Sequence, residues 1–329
     1  MTKLIYNFIL SFYICSNVFG QEYVNQDPTT IRKNVLSDVY LRFYNGSTTE
    51  YYVQFPMSQS SRLFNIVGFE ESEFTVFYAH GFNENANSDS VKTMASSYLE
   101  TKPNINFVLI DWSNMAKGNY LLNAAPNTKP VGLAAAAQIS SLTDNGLVLA
   151  KIHLIGHSLG AHLVGYAART LKNNYSKTLE RITGLDPAFP SFYPEDVLLD
   201  HIKESDAQLV DIIHTDAGAL GTPAVTGTAD FWPNGGSSLQ PGCTLGLPLT
   251  PASRCSHERS WRFFAESVRT PTVFPASPAE TYLQFKLNPT PQVGMVDMGY
   301  NCPSSATGSY YLYTNSASPF GKGLNGLQL

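Results

Sequence analysis

The chain has 329 residues, with 21 basic and 26 acidic side chains and a formal charge of −5. At 43% hydrophobic and 12% aromatic residues it has ample material for a large core, which excludes intrinsic disorder. A charged fraction of only 14%, mildly acidic and without a basic run, argues against a nucleic-acid partner but not against a neutral or zwitterionic lipid surface. At about 150 residues per domain the length suits two domains, or one large α/β enzyme.

Residues 1–20 read as a secretory signal peptide. Lys3 is the only charge, and an apolar stretch from Leu4 to Phe12 continues to Val18 before Phe19-Gly20. That core is too short to anchor in a bilayer. The expectation is a secreted, extracellular protein beginning at Gln21. Cys15 would leave with the signal, so Cys243, Cys255 and Cys302 remain where disulfides are permitted. The first two could close a small loop, leaving Cys302 odd. Asn45-Gly-Ser and Asn174-Tyr-Ser are sequons.

Along the chain, 38–55 reads as a hairpin. Val39, Leu41 and Phe43 alternate with Tyr40, Arg42 and Tyr44, and Asn45-Gly46 marks the turn. Short apolar runs at 73–79, 106–110, 151–155, 181–185 and 209–213 read as strands. Between them 89–99, 131–142 and 159–172 carry helical spacing. Strands buried on both sides and separated by helices predict an α/β fold with a mostly parallel central sheet covered by helices. The stretch 218–254 is rich in Gly, Pro, Thr and Ser and reads as long surface loops of functional kind.

Gly156-His157-Ser158-Leu159-Gly160 follows a predicted strand and opens a predicted helix. A serine on so sharp a turn projects its hydroxyl above the sheet, and glycine on either side lets the backbones approach. The helix N-terminus favours developing negative charge. Serine needs a base, and the base an acid behind it. In chain order the acid follows the serine and the histidine follows the acid. Asp186 stands at the end of a predicted strand, where an acid reaches over the sheet edge. Asp111, Asp211, Asp216 and Asp230 are alternatives, and His201, His214 and His257 all remain open as base. His162, one turn beyond Ser158, reads as a packing or hydrogen-bonding histidine. Two backbone donors are needed for the oxyanion: Leu159 N–H, after the nucleophile, and Phe82 N–H, in His80-Gly81-Phe82 after the strand 73–79.

These motifs resemble the pancreatic-lipase family of secreted lipid hydrolases, within the α/β-hydrolase fold. The resemblance is carried by HGF at 80–82, GHSLGAH at 156–162, GLDPA at 184–188 and IHTD at 213–216. It continues through DFWPNGG at 230–236, QPGC at 240–243 and CSHERS at 255–260. It implies Ser158 as nucleophile, Asp186 as acid, His257 as base, and Phe82 with Leu159 as the oxyanion hole. It also implies a single hydrolase domain over 21–329, in which Cys243 and Cys255 close a short lid loop whose Leu245, Leu247 and Leu249 face lipid.

Triacylglycerol lipases of the family carry a longer lid, and phospholipase A1 members a shortened one. The neighbouring segment 217–229 is short in those members too. The resemblance therefore leans towards phospholipase A1, with triacylglycerol lipase as the alternative. A soluble-ester esterase and a non-catalytic lipid-binding or storage protein stand behind both. Too little chain follows His257 for the C-terminal β-sandwich of pancreatic-type lipases, so neither that domain nor a colipase partner is expected. Asp206 matches one carboxylate of the family's calcium loop, but Lys203 stands in the place of another. A cation there repels calcium, so no metal and no cofactor are expected.

Overall fold

The computed structural model describes residues 35–194, 199–246, 251–288 and 293–328. The signal peptide read at 1–20 lies outside the described residues, as do Leu247 and Leu249 of the lid loop.

Among the described residues one eleven-stranded sheet is formed. Its strands are β1 (Tyr40–Tyr44), β2 (Tyr52–Pro56), β3 (Thr75–Ala79), β4 (Asn106–Asp111), β5 (Ile152–His157), β6 (Arg181–Leu185), β7 (Leu209–Ile213), β8 (Ala229–Pro233), β9 (Pro275–Pro278), β10 (Val296–Asp297) and β11 (Gly308–Leu312). The order is β10-β9-β11-β8-β7-β6-β5-β3-β4-β1-β2. From β4 through β3, β5, β6, β7 and β8 to β11 every pair is parallel. The β1–β2 hairpin is antiparallel to β4, and β9 is antiparallel to β11. The expected α/β-hydrolase architecture is thus the observed one.

Alternation along the central strands splits the interior into two cores. Phe77 and Ala79 of β3, with Val108 and Ile110 of β4, face one side. Val76, Tyr78, Phe107 and Leu109 face the other. Side chains on successive strand residues point to opposite faces, so a strand buried on both faces must be apolar throughout. Helices α2 (Ala125–Asp144) and α3 (Leu159–Tyr175) cover the first side, and α1 (Asp89–Thr101) and α4 (Pro251–Arg269) the second. Helix α5 (Tyr282–Leu287) sets Tyr282 and Phe285 against Tyr311 of β11.

The reading of 218–254 as loop is corrected in two places. Residues 229–233 form β8, buried at every position, and α4 starts at Pro251. β8 is hard to see because Asp230 and Pro233 break its apolar pattern. Asp230 is nonetheless buried, because His214 and the Thr226 and Gly227 N–H groups satisfy its carboxylate.

Candidate active site

Ser158 sits between β5 and α3 with φ 56° and ψ −117°, a conformation that L-residues rarely adopt. The turn is affordable only with glycine neighbours. A Cβ on Gly156 would lie 2.1 Å from Gly160 O, and one on Gly160 would lie 2.1 Å from Ala79 O. Helix α3 therefore starts directly against the end of β3. Leu159 N–H, at the first helical position, has no intrahelical acceptor. Among the described residues neither Leu159 N–H nor Phe82 N–H has a hydrogen-bond partner. Phe82 lies just past β3, its ring edge-on to Tyr120 at 5.2 Å, and Tyr120 Oη donates to Pro190 O at 3.0 Å.

Asp186 follows β6, the neighbour of β5, and is fully buried. Its Oδ1 accepts Thr215 N–H at 2.8 Å and Asp216 N–H at 3.1 Å. Its Oδ2 lies 2.6 Å from His257 Nδ1. A Cβ on Gly221 would stand 2.4 Å from both carboxylate oxygens, so only glycine fits behind Asp186. His257 comes from α4, on the opposite side of the sheet from α3. Burial alone would lower its pKa, but the hydrogen bond and charge of Asp186 win and raise it above 6.5. Among the described residues Ser158 Oγ and His257 share no hydrogen bond, a contact that in such sites often closes only with substrate bound.

The other histidines are occupied elsewhere. His214 places Nε2 2.7 Å from Asp230 and Nδ1 3.1 Å from Thr222 O, stacked on Trp232 at 3.7 Å. His201 has Nδ1 2.6 Å from Ile202 O and stacks on Tyr193. His162 bonds Ala188 O at 2.8 Å and accepts Ile202 N–H at 3.2 Å. Burial pushes its pKa down to about 3, which makes it a neutral hydrogen-bonding residue of the core.

The alternative acids are also placed. Asp211 forms a forked pair with Arg181, both contacts at 2.8 Å. Asp111 lies 3.6 Å from His80. Asp216 stands beside Asp186 and accepts from Leu220 N–H and from the Ser238 hydroxyl. Burial and then the Asp186 charge push its carboxyl upward.

Asp186, Asp216 and His257 bring ligand-type atoms within 4.8 Å of one another, but protein donors engage both carboxylates. At the loop that matches the family's calcium loop, Arg169 donates to both oxygens of Asp206, at 2.7 and 2.9 Å. It also donates to Asp200 and to His201 O. Lys203 N–H bonds Asp206 at 2.9 Å, and Lys203 Nζ bonds Asp200 at 2.7 Å. Guanidinium and ammonium groups thus occupy the carboxylates.

The expected bridge Cys243–Cys255 is formed, with Cα atoms 5.6 Å apart, while among the described residues Cys302 is unpaired and buried. Leu245 is 84% exposed. Sequence reasoning passed over Glu84, a carboxylate beside the nucleophile turn. Its only signal was its place two residues beyond Phe82, in a loop otherwise rich in asparagine.

The profile of the family described as Lipase matches residues 16–320. "Inactive pancreatic lipase-related protein 1" of Homo sapiens is 35% identical over 79% of this chain and 60% of its own length. "Pancreatic lipase-related protein 2" of Rattus norvegicus is 34% identical over 70% of this chain and 53% of its own. "Pancreatic triacylglycerol lipase" of Sus scrofa is 33% identical over 75% of this chain and 60% of its own. The chain thus spans little more than half the length of these relatives.

Proposed function

The chain belongs to the Lipase family, and from that premise we propose that it is a secreted serine carboxylic-ester hydrolase that releases fatty acids from lipids, with phospholipase A1 as its main activity. The observation that supports this reading is a histidine, His257, bonded at Nδ1 to the buried Asp186 carboxylate, its ring 4.7 Å from that of His157, the residue before Ser158. Ser158 Oγ attacks the acyl carbonyl while His257 Nε2 takes its proton. Asp186 holds the imidazole by Nδ1 and stabilises the imidazolium. Phe82 and Leu159 N–H receive the oxyanion. Collapse breaks the ester bond, His257 returns the proton to the departing alcohol, and an acyl-enzyme remains. Water then gives a proton to His257 and attacks the acyl carbon; the bond to Ser158 Oγ breaks, His257 returns the proton to that oxygen, and the fatty acid leaves. No cofactor enters any step.

The short Cys243–Cys255 loop and the short 217–229 segment support the phospholipase reading, because less cover leaves a polar headgroup room. The exposed Leu245 suits contact with a lipid surface. A disulfide suits an oxidising compartment. Among the described residues no helix is long and apolar enough to cross a membrane. A relative named inactive raises a non-catalytic reading, against which stand the intact Ser158, Asp186 and His257.

The test is hydrolysis of phosphatidylcholine liposomes beside a long-chain triacylglycerol emulsion, with Ser158→Ala as control. The expected result is fatty acid from phosphatidylcholine with a 2-acyl lysolipid left behind. Release from triacylglycerol alone would make the enzyme a neutral lipase. Inactivity of folded protein on both would return it to lipid binding.

A further inference from the structure

An oxyanion hole works only if both donors are held where the charge will form. Leu159 N–H is fixed by the first turn of α3. Phe82 N–H belongs to a loop, and its direction depends on how the preceding peptides are tied. His80 O accepts Trp112 Nε1–H at 2.9 Å, and Asn83 N–H reaches Ala116 O at 2.8 Å. Between these anchors the Gly81 N–H donates to Glu84 Oε2. The same oxygen lies 3.3 Å from Nδ1 of His157, the residue before the nucleophile. A Cβ on Gly81 would stand 3.1 Å from Glu84 Oε2, from His157 Nδ1 and from Ser158 Cβ alike, so this peptide is wedged among the three.

We propose that Glu84 is a positioning residue of the oxyanion hole: held by the His157 ring, its carboxylate accepts the Gly81 N–H and so fixes the peptides that present Phe82 N–H to the reacting carbonyl. The proposal rests on the ester-hydrolase reading of Ser158. Burial by itself would raise the Glu84 pKa, but the His157 and His80 rings outweigh it and draw the carboxyl down to about 2. Glu84 is therefore an anion at any working pH, and its bond to Gly81 is charge-assisted and stronger than a neutral one. The clamp also joins the two halves of the site. Phe82 comes from the β3 loop and Ser158 from the β5 turn, and the His157–Glu84 contact spans them. Among the described residues His157 Nε2 is buried without a partner, and its ring lies 4.7 Å from that of His257. Loosening the clamp would thus disturb the hole beside the base, without touching the acyl or headgroup contacts.

The test compares wild type, Ser158→Ala, Glu84→Gln and Glu84→Asp on a soluble short-chain ester and on its thionoester, in which sulfur replaces the carbonyl oxygen. Sulfur accepts hydrogen bonds weakly, so a thionoester gains little from an oxyanion hole. The expected result for Glu84→Gln is a fall of about 10- to 100-fold in kcat on the ester, with KM within about twofold, smaller than loss of a whole donor. The thionoester rate should fall much less, and Glu84→Asp, which keeps the charge, should recover part of the loss. Equal falls on ester and thionoester would reduce Glu84 to a structural role and overturn the proposal, as would full activity of Glu84→Gln. If Glu84→Gln does not fold, Glu84→Asp decides on the same ratio. Activity in wild type that Ser158→Ala abolishes keeps the enzyme reading, whatever Glu84 does. Inactivity of wild type on every ester overturns both.

Discussion

Two buried histidine–aspartate pairs stand in this molecule with nearly the same bond. His257 lies 2.6 Å from Asp186, and His214 lies 2.7 Å from Asp230. Both acids are fully buried and both accept two backbone N–H groups. The difference is at the far nitrogen. His214 spends its second nitrogen on Thr222 O and its ring face on Trp232. Among the described residues His257 Nε2 has no hydrogen bond, and its ring lies 4.7 Å from that of His157, the residue before Ser158. A carboxylate behind an imidazole is therefore not a catalytic signature by itself. A histidine held at one nitrogen and open at the other can move a proton, whereas one held at both ends is a brace between strands.

Substitutions at the two acids should separate the pairs most clearly. Asp186→Asn should lower kcat by about 10⁴-fold, because the imidazole loses its orientation and its counter-charge. Steady-state kinetics beside a melting curve checks this. Gly221→Ala comes next. The added methyl would collide with the Asp186 carboxylate, and the displaced acid should cost about 10²-fold in kcat. Asp230→Asn should reverse the pattern, with activity within a few-fold of wild type but stability lower by about 3 kcal/mol, read from denaturant unfolding. The smallest effect is on pH. His257 must be neutral to act as base, and its folded pKa is raised above 6.5. The acid limb of kcat/KM should therefore lie above 6.5 in wild type and shift downward in Asp186→Asn. A limb unmoved by that substitution would mean that some other group controls it.

Much of this arrangement is legible in the sequence, for identifiable reasons. The runs 181–185 and 209–213 are strands with the predicted bounds, because they are buried on both faces. The glycines of GHSLG announce the turn, because no other residue fits at 156 or 160. Spacing left three histidines and five acids open. The pairing of His257 with Asp186 depends on sheet order, which sets β6 beside β5, and on α4 coming over from the other face. Glu84 escaped notice for a related reason. Its meaning depends on His157, far away in sequence and adjacent only because β3 pairs with β5. β8 was hidden by Asp230, whose partners also come from distant segments.

The Cys243–Cys255 loop leaves from the same helix that carries His257, the proposed base. Cys255 stands two residues before His257 in α4, and the segment entering the loop is tied to that helix again further along. Gln240 N–H donates to Ser256 Oγ at 3.1 Å, and Arg259 Nη2 donates to Pro241 O at 3.0 Å. A shift of residues 240–241 would have to break these ties or drag α4, and with it the His257 bond to Asp186.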